Sequence, residues 1–206
     1  MRGRLPDISV ESLLADAPDE ITRGAFTNIW KKKEDFERDL VAYLADHREF
    51  PGARTLSKHV LSLAESGAEL SLLVKVGAEC TLQEITSSPS WRLVVALVAM
   101  LDDDDVGPIV RAQLQTSNRK FDDQSAQLYR FLLMGHRRRM RPGLDVLDLA
   151  TALGALITGL GLRALIDPDR VQTTINWAGD SDWSLAGVAA QAIVEYFTED
   201  LTPLDS

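Results

Sequence analysis

Between Thr22 and Lys33 the chain carries four bases, Arg23, Lys31, Lys32 and Lys33, and no acid, although its 206 residues have a formal net charge of −9. A basic segment in an acidic chain suits a polyanion, because Lys and Arg neutralise phosphates and release their counterions. The neighbouring pattern gives the segment a frame. Residues 8–17 read as a short helix with Val10, Leu13, Leu14 and Ala17 on its apolar side, and Pro18-Asp19-Glu20 reads as a turn. Thr22 reads as the N-cap of a second short helix, from Arg23 to about Trp30, and Glu34 opens the next amphipathic helix. Two short helices, a tight turn and bases at the end of the second are the parts of a helix-turn-helix.

Other residues with chemical potential do not converge. His47, His59 and His136 lie far apart, and the metalloprotease, nucleophile-elbow and P-loop spacings are absent. Gly159-Leu160-Gly161-Leu162-Arg163-Ala164 fits a loose dinucleotide fingerprint, but these glycines interrupt one continuous helix, whereas the fingerprint needs a strand and a tight turn before the helix. Asp102 to Asp105 read as an acidic helix start rather than a cation site. Arg137-Arg138-Arg139-Met140-Arg141 reads as the end of a helix whose carbonyls the cations complement, with a phosphate patch as the alternative. Cys80 is the single cysteine, which excludes a disulfide framework and a Cys-rich zinc site. The expectation is a protein with no catalytic residues, no metal and no cofactor.

The elements that must position the basic segment read as helices throughout. Hydrophobic residues make up 45% and charged residues 26%, which is globular composition. Phe36, Leu40, Tyr43 and Leu44 recur at helical spacing after Lys33, and residues 56–85 continue helically with a break near Gly67. Ser88-Pro89 reads as a cap and first turn for the apolar run 93–101, which periodicity alone also allows as a buried strand. A long amphipathic stretch runs from Pro108 to about Met134. The fold class is all-α. No apolar run reaches the ~18 residues that a membrane span needs, and Met1 to Asp7 contain no apolar h-region. A cytoplasmic protein without a membrane partner is expected.

Residues 149–162 contain no charge, and neither do residues 183–194. A helix with one buried face shows a polar stripe on the other. These two are expected to be covered on both faces, by the body of the domain and by the same pair from an identical subunit. The homodimer expectation falls on Leu153, Leu156, Ile157, Leu160, Val188, Ala189, Ala192 and Ile193 within helices 149–165 and 183–197.

Residues 22–36, Thr-Arg-Gly-Ala-Phe-Thr-Asn-Ile-Trp-Lys-Lys-Lys-Glu-Asp-Phe, resemble the end of the helix-turn-helix in TetR-family (tetracycline-repressor-like) transcription regulators, and residues 8–13 resemble the start of that family's second helix. Residues 136–144 and 164–171 are similar to stretches of actinobacterial members. The resemblance implies a small helix-turn-helix unit over residues 1–45 and a larger helical domain over residues 46–206 that binds a ligand and dimerises. It implies that Thr22 and Arg23 open the recognition helix, that Thr27 and Asn28 face the groove, and that Lys31 and Lys33 hold phosphates of a double-stranded DNA operator. It places Trp91, Phe121 and Tyr129 around the pocket of an apolar small-molecule effector. Three departures stand out, and one is the turn Pro18-Asp19-Glu20-Ile21, about two residues longer than the family's. Only seven residues precede Ile8, so the family's first helix is expected to be missing, and Thr27 stands where the family has a Tyr.

Two functions follow as expectations. One is a ligand-responsive DNA-binding repressor acting as a homodimer. The alternative is a helical homodimer with a degenerate DNA-binding unit, which binds a small molecule or a protein partner without DNA. Residues 1–45 hold seven bases and nine acids, a balance that favours the alternative.

Overall fold

The structure, a computed structural model, describes residues 24, 28–46, 53–177 and 180–201. The described residues are mostly helical, at 74%. The described helices are α1 (Lys33–Asp46), α2 (Ala53–Glu65), α3 (Leu70–Ser87), α4 (Pro89–Val98), α5 (Gly107–Gly135), α6 (Val146–Ile166), α7 (Pro168–Val171) and α8 (Leu185–Phe197). Strands β1 (Arg138–Met140), β2 (Thr174–Trp177), β3 (Asp180–Ser184) and β4 (Thr198–Asp200) are short. The chain divides into two units, one of residues 1–48 and 92–117, the other of residues 49–91 and 118–206. The smaller unit thus takes in residues 92–117, which the sequence reading grouped with the larger domain.

In the smaller unit, Leu97, Met100, Val110 and Leu114 bury together, with Leu93, Leu101 and Val106 against them. The run 93–101 is helical to Val98 and turns through Leu101, so the helical expectation holds. Asp103 accepts the backbone amides of Asp105 at 3.0 Å and Val106 at 3.1 Å, just ahead of α5. The acidic run therefore caps a turn ahead of α5, whose own first turn holds no acid, which corrects the helix-start reading. The chain doubles back tightly here, and a Cβ on Gly107 would lie 2.6 Å from the carbonyl oxygen of Leu101.

In the larger unit α3 packs against α2, α6 and α8, and α8 packs against α6. Val60, Leu73 and Leu132 form one buried cluster, and Ala126, Val146 and Ala150 another, with Tyr129 and Met140 beside it. The expected break at Gly67 is a turn with φ +81°, a conformation that glycine adopts without steric cost. The amides of Gly67 and Ala68 there bond the carbonyls of Ala64 and Leu63, closing α2. α6 opens with a reciprocal cap in which Asp145 accepts from Leu147 and Asp148 amides while Asp148 accepts from the Asp145 amide. It runs unbroken through Gly154, Gly159 and Gly161, as the sequence reading held.

Two further expectations are corrected. The last helix begins at Leu185 rather than 183, because Ser184 caps it by accepting the Gly187 amide at 3.0 Å. Trp183, in β3, is buried and lies 5.6 Å from the Lys75 ammonium. The arginine cluster does not complete α5, which ends at Gly135. Arg138–Met140 instead pairs antiparallel with Thr198–Asp200, Arg139 donates to Glu199 at 3.0 Å, and Arg138 lies 3.8 Å from Asp200. The Arg141 amide and guanidinium bond the carbonyls of Phe197 and Glu195. The cations do complement a helix's carbonyl end, but the helix is α8. Arg137, which leads into β1, takes φ +53°.

His136 joins the end of α5 to the α2–α3 turn. Its Nδ1 lies 2.8 Å from the Leu132 carbonyl and its Nε2 2.9 Å from the Ala68 carbonyl. Gly107 gives the sharpest test of local packing. Gly107→Ala sets a methyl against a backbone carbonyl that has no rotamer to yield, and should lower stability by about 2 kcal/mol. A urea melt with an unchanged slope and a lower midpoint checks it.

Candidate functional site

The basic segment is described in its second half. Gly24, Asn28 and Ile29 are helical and exposed, the helix ends at Trp30, and Lys31 and Lys32 form an exposed bend before Lys33 opens α1. Two contacts fix the bend. The Trp30 indole donates to Asp39 at 2.9 Å, and its ring meets Phe36 edge-on at 5.1 Å. Trp30 thereby anchors on α1 the end of the helix that carries Asn28. Lys32, absent from the sequence-derived set, is as exposed as Lys31. Thr22, Arg23 and Thr27 lie outside the described residues.

The three aromatic residues expected around a pocket take different settings. Trp91 is buried, its ring lies 3.3 Å from where a Gly161 Cβ would stand, and its indole nitrogen has no hydrogen-bond partner among the described residues. Phe121 is half-buried. Tyr129 is half-buried beside Ala126, Val146 and Ala150. Burial, and then the Asp122 carboxylate, push its hydroxyl up to about 12. Asp122 is itself pushed up by burial, against a 3.4 Å hydrogen bond from Thr151. A surface concavity of about 500 Å³, lined by Arg141, Pro142, Gly143, Leu144 and Tyr196, contains none of the three aromatics.

The residues expected at a dimer interface separate into three sets. Leu153 and Ile157 are buried under the chain's own side chains. Leu156, Leu160, Val188, Ala189 and Ile193 are half-buried, and Ala192 is exposed. The outward stripe of α6 is made of other residues: Leu147, Thr151, Ala155, Thr158, Leu162 and Leu165 recur every three or four positions and are all exposed. Their spacing was readable, but not which side of an uncharged helix faces in. By length and composition alone α6 could cross a membrane, whereas the sequence reading held that no apolar run was long enough. Its inner face, with Leu149, Ala150, Leu153, Ile157 and Gly161, is buried in the larger unit.

Among the described residues no group of three or more His, Cys, Asp or Glu could hold a metal ion. Burial, then Glu84 and Glu79, push the Cys80 thiol up, away from the reactive thiolate. No family model, curated protein or solved structure matches the chain.

Tyr129 makes the larger unit sensitive to alkali. Its neutral form is favoured in the fold, so the stability it lends is complete below pH 10 and is lost as pH rises from 10.0 to about 12. The loss at pH 11 should be about 1.4 kcal/mol relative to Tyr129→Phe, whose melts should lack that component. Parallel urea melts of the two chains at pH 9 and pH 11 measure the difference.

Proposed function

We propose that this chain is a ligand-responsive, DNA-binding transcription regulator, a repressor that acts in the cytoplasm as a homodimer in the manner of the TetR family it resembles. The observation that carries the reading is the helix end and bend at residues 28–33. They expose Asn28, Lys31 and Lys32 within a segment of charge +4, held to α1 through Trp30 and Asp39. Asn suits adenine as a bidentate partner, and the lysines suit phosphates, which set register without reading sequence. The effector falls to the larger unit, around Trp91, Phe121 and Tyr129. The dimer falls to the outward stripe of α6, with Ala192 and Tyr196 of α8.

A second reading, the helical dimer that binds a small molecule or protein partner without DNA, draws on the charge next door. Glu34, Asp35, Glu37 and Asp39 follow the lysines directly, and residues 1–45 carry two more acids than bases.

A retardation assay on the DNA upstream of the chain's own coding sequence separates the two. The regulator gives a shift that weakens steeply with salt. Lys31→Ala should weaken binding to all sequences alike and reduce the salt slope by about one, whereas Asn28→Ala should relax preference at particular bases. No salt-sensitive shift leaves the second reading. The dimer is tested apart from DNA. Leu162 is 41% exposed, so Leu162→Glu should leave the helical circular dichroism intact while converting a dimer to monomers in sedimentation at micromolar concentration. Sedimentation of the parent chain as a monomer would sink the dimer.

A further inference from the structure

The 21 residues of α6 include two charges, Asp148 in the first turn and Arg163 in the last, and both side chains are exposed. Between these ends runs the outward stripe, Leu147, Thr151, Ala155, Thr158, Leu162 and Leu165. Its leucines are 38%, 41% and 43% exposed. A partner that covers them gains about 25 cal/mol for each Å² of apolar surface taken from water.

The stripe reads nearly the same from either end. Reversed about a point between Ala155 and Thr158, it sets Leu147 opposite Leu165, Thr151 opposite Leu162 and Ala155 opposite Thr158. An isologous interface demands such a pattern, because its two-fold axis brings residue i to j and j to i. Side-chain size agrees with the position of that axis. Ala155 and Thr158 stand at the centre, where packed helices approach to about 8–10 Å, and the leucines stand toward the ends.

Charge gives the pairing a direction. Two antiparallel copies of α6, centred on that point, bring Asp148 to within about 3 Å of the partner's Arg163 along the axis, and do so at both ends. The two residues lie on the same flank of the stripe. Two parallel copies would oppose Asp148 to Asp148 and Arg163 to Arg163. Like charges opposed across an interface are costly, and charges at its rim set orientation more than strength. A bilayer would also cover the leucines, but it has no register for the stripe to match, and the inner face of α6 is buried in the larger unit.

We propose that the occupant of this face is a second copy of the chain, and that the two α6 helices cross antiparallel with Ala155 and Thr158 at the two-fold axis. This rests on the homodimer reading given above and fixes its direction and register.

The test is disulfide trapping in the full chain. Opposed positions should come within the roughly 7 Å between Cα atoms that a disulfide tolerates. The two copies of Thr151 stand about 16 Å apart along the axis, as do the two copies of Leu162. On mild oxidation Thr151→Cys/Leu162→Cys should therefore form a covalent dimer. A mixture of the two single variants, refolded together from urea, should do the same. Each single variant alone, and the parent with its Cys80, should not. Both positions are exposed, so the helical circular dichroism should match the parent's. Cross-linking of each single variant with itself would mark a parallel pair and overturn the proposal. A chain that sediments as a dimer while the double variant stays uncross-linked keeps the homodimer and loses this register. A parent chain that sediments as a monomer loses both, and if that monomer floats with phosphatidylcholine vesicles the face belongs to lipid.

Discussion

Enclosure of α3 by α2, α6 and α8 is the constraint on which the larger unit depends. Polar atoms on the sides of α3 that face these helices lose water, so neighbours there must answer them. Lys75 is answered by Asp182 at 3.5 Å and by the face of Trp183, and Glu79 by the Ser184 amide at 3.1 Å. All three partners belong to one short stretch, the end of β3. The demand made by α3 thus fixes where α8 begins. It also keeps side chains off Gly187, where a Cβ would stand 3.3 Å from the Trp183 ring and 3.4 Å from Lys75 and Glu79.

Much of this order is local and can be read from the sequence. Gly67, Pro89 and Pro108 mark the limits of α2, α4 and α5 because each acts on its own backbone. The uncharged run 149–162 announces α6 for the same reason. Ser184 followed by an apolar run is a cap signal that the sequence reading, which followed the absence of charge from Trp183 onward, did not use. What cannot be read locally is pairing across distance. Arg139 meets Glu199 sixty residues on, and no periodicity near Arg139 reports it. The inward side of α6 was equally hidden, because a helix without charge gives no polar stripe to orient it.

The basic segment was legible in charge and spacing, whereas the means of holding it were not. Trp30 and Asp39 lie nine residues apart on two helices, and only the bend at Lys31 and Lys32 brings them together. Within the larger unit, Trp91 and Tyr129 both entered the reading as large aromatics. The structure separates them by what their polar atoms find: the Tyr129 hydroxyl lies under the influence of Asp122, and the Trp91 nitrogen has no partner among the described residues.

The pairing of Arg138–Met140 with Thr198–Asp200 sets an order of events during synthesis. The second strand leaves the ribosome about sixty residues after the first, a delay of roughly 3–12 s at about 5–20 residues per second. Through that interval the cluster 137–141 has neither Glu199 nor the carbonyl end of α8 to meet. The opposite field nearest in sequence is the carbonyl end of α5 itself, which draws cations within one turn. The strand pairing, and with it the cover that the arginines give to the end of α8, is therefore among the last contacts that synthesis permits.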